Sequence, residues 1–131
     1  MTTIQDYLEF RTAYVDALLW STYANPEETD CGFDYFSEAA SRFEDFNTES
    51  QEHIEKDCKD FLSIAEKFIP EDGFSQSGHD FALTRNGHGV GFWDREEIYG
   101  EKAAKELNKI ADSFGEIYLY WEAKSQTVGI E

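Results

Sequence analysis

Apolar residues at Ile4, Leu8, Tyr14, Val15, Leu18 and Leu19 recur at helical spacing from a Thr2 or Thr3 cap, predicting a core helix that ends near Trp20. Trp20 and Tyr23 at its end are packing residues or, if exposed near acids, interface residues. Asn25-Pro26 breaks the pattern, and 27–32 reads as a loop. Phe33–Phe46 then alternates aromatics with carboxylates, and a short helix over about 36–44 is expected there. A second stripe, Ile54, Cys58, Phe61, Leu62, Ala65, Phe68 and Ile69, follows a Thr48/Gln51 capping box and stops at Pro70, predicting a long helix over about 49–69. Ala103, Ala104, Leu107, Ile110, Ala111 and Phe114 mark a third helix over roughly 101–113, closed by Gly115. Glu116–Glu122 alternates as a strand, and Thr127–Ile130 returns as a short last one.

Between the second and third helices, Ser75-Gln76-Ser77-Gly78 reads as a linker into a β-hairpin. Asn86-Gly87 separates Phe81–Arg85 from His88–Phe92, and this dipeptide favours a two-residue type I′ turn because both central residues need positive φ. The register places Phe81, Leu83, Val90 and Phe92 on one face and Ala82, Thr84, Gly89 and Gly91 on the other. Glycines inside a strand mark a bulge or a close approach by a backbone, a ring or a ligand. The predicted fold class is α+β in a single domain, 1–131, with three main helices packed on one face of a small antiparallel sheet of about four strands.

The segment Gly78-His79-Asp80-Phe81-Ala82-Leu83-Thr84-Arg85-Asn86-Gly87-His88-Gly89-Val90-Gly91-Phe92-Trp93-Asp94-Arg95 resembles one found in a family of small uncharacterised proteins of tailed phages and prophages. There it runs G-H-D-F-W-L-T-R-N-G-H-G-A-G-F-W-D-R, followed by a helix and an F-G-E-x-x-L-Y strand, whose counterpart here is Phe114–Tyr120. The resemblance covers mainly the C-terminal half, with a looser echo at Ala17-Leu18-Leu19-Trp20. Ala82 and Val90 stand where the family pattern has Trp and Ala; if that Trp covers the glycine face, this chain leaves a patch open or fills it from elsewhere. The resemblance implies a phage origin and no particular mechanism.

Charge changes the picture more than size does. The 131 residues carry 28 acids and 11 bases, a formal net charge of −17, and Glu27–Asp57 alone holds 11 acids and two bases. Direct binding to nucleic acid is disfavoured, because affinity for phosphate comes largely from Lys and Arg releasing counterions. A partner with a basic surface is favoured, although high net charge also simply keeps a protein soluble and monomeric. No apolar run approaches the roughly 18 residues of a membrane span, and no basic-then-apolar leader opens the chain, so a soluble protein of the cytoplasm is expected. Cys31 and Cys58 form no metal-binding spacing, and neither a metal nor a cofactor is expected.

For catalysis, the hairpin register sets His79 opposite Asp94, a carboxylate that would fix the imidazole tautomer of a general base, with Ser75 and Ser77 near in sequence. Arg85 and His88 would then lie at the turn, roughly 20 Å away at strand rise, so the two ends cannot serve one small substrate. Gly87-x-Gly89-x-Gly91 is not a phosphate cradle, which needs a glycine turn opening a helix. A structural pair closing the hairpin accounts for His79 and Asp94 equally, and the chain is not expected to be an enzyme. The expected function is that of an acidic phage accessory protein of the infected bacterial host's cytoplasm. Its carboxylates Glu27, Glu28, Asp30, Asp34, Glu38, Glu44, Asp45, Glu49 and Glu52 would occupy the basic groove of a nucleic-acid-handling defence protein, as an anti-restriction or anti-CRISPR DNA mimic does. The alternatives are a ligand- or protein-binding module on the hairpin, with His79, Asp80, Arg85, His88, Trp93 and Asp94 as candidates, or a minor enzyme using His79 and Asp94.

Overall fold

The computed structural model describes residues 2–88 and 90–131. Among these, the helices are α1 (Ile4–Ser21), α2 (Pro26–Thr29), α3 (Thr48–Ala65), α4 (Phe74–Arg85), α5 (Glu96–Tyr99) and α6 (Glu101–Asp112), and the strands are β1 (Leu119–Glu122) and β2 (Thr127–Ile130). Single 3-10 turns at Phe36–Glu38 and Phe43–Asp45 stand where one short helix over 36–44 was expected.

The helix ends follow local chemistry. The Thr3 hydroxyl accepts from the Asp6 N–H at 3.0 Å while the Asp6 carboxylate accepts from the Thr3 N–H at 3.1 Å, a reciprocal cap that starts α1. At α3 the cap is Asn47 rather than Thr48: its side-chain oxygen accepts from the Ser50 N–H at 2.9 Å, and Gln51 reaches back to the Phe46 carbonyl at 2.8 Å. That helix ends at Ala65, and a 3-10 turn carries the chain to Phe68.

The stretch read as a linker and a β-hairpin is instead α4 and a loop. Phe74, Ser77, Gly78, Phe81 and Arg85 lie on one helical face, and every residue from Asp80 to Arg85 is buried. A run as short as Phe81–Leu83 fits strand or helix equally, and surroundings apolar on nearly all sides decide for the helix. Asn86-Gly87 ends it: the Gly87 N–H donates to the Thr84 carbonyl at 3.1 Å and the His88 N–H to the Leu83 carbonyl at 3.1 Å, with Gly87 at φ 69°. This paired closure is a Schellman cap. It needs positive φ at the glycine as a type I′ turn does, so the dipeptide specified a bend and not the element before it. Of the supposed glycine face, Gly91 abuts the Thr84 side chain, whose hydroxyl accepts from the Phe92 N–H at 3.1 Å, and Gly89 lies outside the described residues.

Without that hairpin, the sheet has two strands rather than about four. They pair antiparallel from Leu119↔Ile130 to Glu122↔Thr127. The architecture is α+β, with the helices forming the body and the sheet sealing the start of α3. There the Asn47 N–H donates to the Val128 carbonyl at 2.9 Å and the Ile130 N–H to the Ser50 hydroxyl at 2.7 Å. Among the described residues no helix is long and apolar enough to cross a membrane.

Aromatic rings fill the centre. Phe61 of α3 stacks on Phe81 of α4 at 4.2 Å between centroids, Tyr14 of α1 stacks on Phe81 at 5.0 Å, and Phe10, Phe92 and Phe114 join within 6.0 Å. Offset pairs of this kind add about 0.5–1.5 kcal/mol each beyond the area they bury. Helices α1 and α4 are in backbone contact at Gly78, where a Cβ would fall on the Phe10 carbonyl oxygen. Gly78→Ala is therefore expected to destabilise the protein by at least about 2 kcal/mol, since the clash is with backbone and cannot be relieved by a rotamer change. Urea unfolding checks this, and an unchanged midpoint would show that the two backbones are not in contact.

Candidate functional site

The polar residues of Gly78–Arg95 divide between two buried nodes, a groove wall and an exposed loop. Asp80 is fully buried and accepts from Gln76 Nε2 at 2.9 Å, Tyr99 Oη at 2.9 Å and Arg95 Nε at 3.3 Å. The Tyr99 hydroxyl also meets the Ser77 hydroxyl at 3.1 Å. A buried carboxylate without donors on its lone pairs is costly, and α4, the loop and α5 supply them.

Arg85 forms the second node. Its Nη1 donates to the Asp57 carboxylate at 2.7 Å and the Tyr14 hydroxyl at 2.9 Å; Nε donates to the Gly115 carbonyl at 2.8 Å and Nη2 to the Phe114 carbonyl at 3.0 Å. Burial alone would lower the guanidinium's pKa, but Tyr14 and Asp57 outweigh it and the net direction is upward. Asn86, next in sequence, accepts from the Ile117 N–H at 3.0 Å. These residues hold the fold together.

His79 lines a polar groove of about 920 Å³ between α1 and α4, with Glu9, Asp16, Asp72, Ser75 and Arg95 on the other walls. Its Nδ1 lies 3.3 Å from Asp80 Oδ1 and its ring packs against Trp20 at 5.8 Å. The carboxylate beside His79 is thus Asp80; Asp94, the partner that the hairpin register would give it, is exposed in the loop with His88 and Trp93. Ser77 points inward to Tyr99, and among the described residues no hydrogen bond joins Ser75 or Ser77 to His79. Cys31 and Cys58 are free thiols, and burial pushes the Cys58 thiol up.

The acidic segment folds as an excursion from the end of α1. The Ala24 N–H donates to the Asp34 carbonyl at 2.7 Å, and the Phe36 N–H to the Thr22 carbonyl at 3.3 Å. Three of its nine candidate carboxylates serve this fold. Glu38 accepts from the Asp34 and Tyr35 N–H groups at 3.1 and 2.9 Å, Asp45 from those of Ser41 and Arg42 at 2.8 and 3.0 Å, and Glu27 from the Tyr23 hydroxyl at 3.0 Å. The Ser41 N–H is the main reason that the Asp45 carboxyl sits below its usual range. Glu28, Asp30, Asp34, Glu44, Glu49 and Glu52 are exposed, and among the described residues their side chains have no hydrogen-bond or ion-pair partner. Among the described residues, only Asp45 of the nine pairs with a base, Arg42 at 3.6 Å.

Missed from the sequence were Gln76, Arg95 and Tyr99 around Asp80, and Tyr14 and Asp57 around Arg85. The spacing of Gln76 and Asp80 would have signalled an i,i+4 pair had the helix been recognised; the other partners are distant in sequence. No protein-family model, curated protein or solved structure matches the chain.

Two expectations follow for stability. Arg85→Met removes a buried cation, leaves the mostly buried Asp57 carboxylate with His53, 3.1 Å away, as its remaining partner, and leaves two carbonyls without a donor, which should cost about 3–5 kcal/mol. Lys56→Met, at the exposed Lys56–Asp60 pair, should cost less than about 1 kcal/mol, and equal losses in urea unfolding would sink the distinction. Burial also pushes the hydroxyls of Tyr14 and Tyr99 above the ordinary tyrosine value, helped at Tyr99 by the Asp80 charge, and raises Tyr7 to about 12. In the unfolded chain these groups ionise near pH 10, so above that pH unfolding releases protons and stability falls as pH rises. The urea midpoint should fall as pH rises above about 10, less steeply in Tyr99→Phe; a flat profile would mean that the hydroxyls are open to water.

Proposed function

We propose that this chain is a phage-type accessory protein that binds and inhibits a nucleic-acid-handling defence protein of a bacterial host, presenting carboxylates where that protein expects phosphates. One observation carries the reading: six of the nine carboxylates on 27–52 are exposed and have no partner among the described residues, while Glu38 and Asp45 brace the backbone beneath them and Glu27 holds the Tyr23 hydroxyl. Between residues 12 and 55 the only Lys or Arg is Arg42. A surface kept this free of counter-charge repels itself, and a basic groove relieves the repulsion by exchanging its bound anions for carboxylates. Anti-restriction or anti-CRISPR activity is the corresponding biological role, in the host cytoplasm and without a catalytic step. The phage-like Gly78–Arg95 segment supports a host protein as partner; its buried Asp80 and Arg85 belong to the scaffold.

A small-ligand site is a second possibility, favoured by His79 and Arg95 on the α1–α4 groove. A thermal-shift screen across metabolites separates the two.

The decisive experiment is capture of a partner from bacterial lysate, using as baits the wild type and a variant carrying Glu28→Gln, Asp30→Asn, Glu44→Gln, Glu49→Gln and Glu52→Gln. None of these side chains has an internal partner among the described residues, and Asn tolerates the left-handed backbone of Asp30, φ 58°. The wild type should retain a nucleic-acid-handling protein that high salt or duplex DNA releases, and the variant should bind it at least about tenfold more weakly. Retention through high salt, or equal capture by both baits, would remove the mimic.

A further inference from the structure

We propose that the aromatic depression at the end of α1, beside the acidic surface, receives an arginine side chain of the basic partner; this rests on the acidic-surface reading and supplies its specificity. Trp20, Tyr23 and Tyr35 are 44%, 43% and 44% exposed. They are neighbours: the Tyr23 and Tyr35 rings meet edge to face at 5.6 Å, and Trp20 and Tyr35 line one depression of about 470 Å³ with Ser21, Leu83, His88 and Val90. Single exposed aromatics are ordinary, but a cluster around a concave floor is what interaction sites use.

The surroundings select the occupant. Buried Leu83 contributes apolar floor, and Val90, 43% exposed, lies on the rim. No Lys or Arg lines the depression. The Tyr23 hydroxyl donates to the Glu27 carboxylate at 3.0 Å, and exposed Asp34 directly precedes Tyr35, so two carboxylates stand beside the rings. The site thus offers ring faces and nearby negative charge. An anionic ligand is repelled, and a purely apolar side chain would cover Glu27 and Asp34 without pairing them. A guanidinium stacks flat on an aromatic face and still donates at its edge, whereas an ammonium is more strongly hydrated and gives up that hydration less readily.

The test uses an arginine octapeptide and a lysine octapeptide as probes, titrated calorimetrically into the full chain at physiological salt. The wild type should bind the arginine peptide about tenfold more tightly. Tyr35→Leu should bring the two peptides within about twofold of each other. Val90→Lys, which sets an ammonium on the rim without disturbing the core, should do the same and stands in if Tyr35→Leu fails to fold. Equal affinity for the two peptides in the wild type, or a preference that survives both variants, overturns the arginine site and leaves the acidic surface standing. Binding of the arginine peptide that tolerates the five-carboxylate variant but is lost in Val90→Lys keeps the site and discards the acidic surface. Failure to bind either peptide overturns both.

Discussion

The guanidinium of Arg85 is withdrawn from water, and a cation in that position persists only if its N–H groups are met. The acceptors come from separate parts of the chain: Tyr14 on α1, Asp57 on α3, and the carbonyls of Phe114 and Gly115 after α6. Each has to arrive at one orientation, so the last turn of α4 acts as a keystone for three other helices. Phe81 and Phe114 lie 5.3 and 5.7 Å from the guanidinium carbon and carry the apolar side of the same arrangement. A buried ion pair of this kind adds little net stability over a well-packed apolar substitute; its expected effect is to penalise every other packing. With α4 fixed, Gly78 meets Phe10 and Asp80 meets Tyr99 and Arg95.

Helices α1, α3 and α6 and the 119–130 hairpin were legible because their signals are local: apolar stripes at helical period, a Thr3 cap at the start of α1, Gly115 at the end of α6, and alternation through Leu119, Tyr120 and Trp121; at α3 the cap was placed one residue late, on Thr48 instead of Asn47. The segment 74–92 was not. Phe81, Leu83, Val90 and Phe92 alternate over too few positions to exclude a helix, and the positive φ of Gly87 serves two different backbone closures, of which the one formed leaves Asn86 at φ −94°. What decides is tertiary: α4 is enclosed by α1, α3 and α6, and no strand could bring Ser77, Asp80 and Arg85 inward together. The candidate chemistry misled for a related reason. Histidine and aspartate beside a glycine-rich stretch look catalytic when the partners of Asp80, Gln76 apart, lie 15 and 19 residues away and are invisible to spacing.

The acidic segment uses one side chain type for two opposite purposes. Glu38 and Asp45 are structural because two backbone N–H groups converge on each, which permits a path from Phe33 to Phe46 whose regular structure is two single 3-10 turns. Their neighbours Asp34 and Glu44 point to solvent. Negative charge that braces the chain cannot be removed without loosening the surface on which the remaining charge is displayed. Phe33 and Phe36, in edge contact at 5.5 Å, and Phe33 against Trp121 at 5.3 Å, anchor that surface to the sheet and the core.

The closure of α3 by β2 sets an order of events during synthesis. Asn47 and Ser50, at the start of the second long helix, are held by Val128 and Ile130, which leave the ribosome some 80 residues later. Until then the acidic segment has no sheet to rest on, and Phe46 lacks its bridge to Val128. The nascent chain therefore carries its charged excursion without that support until residues 127–130 have emerged, a period in which self-repulsion keeps neighbouring chains apart, and displays it in fixed form only after β2 has paired.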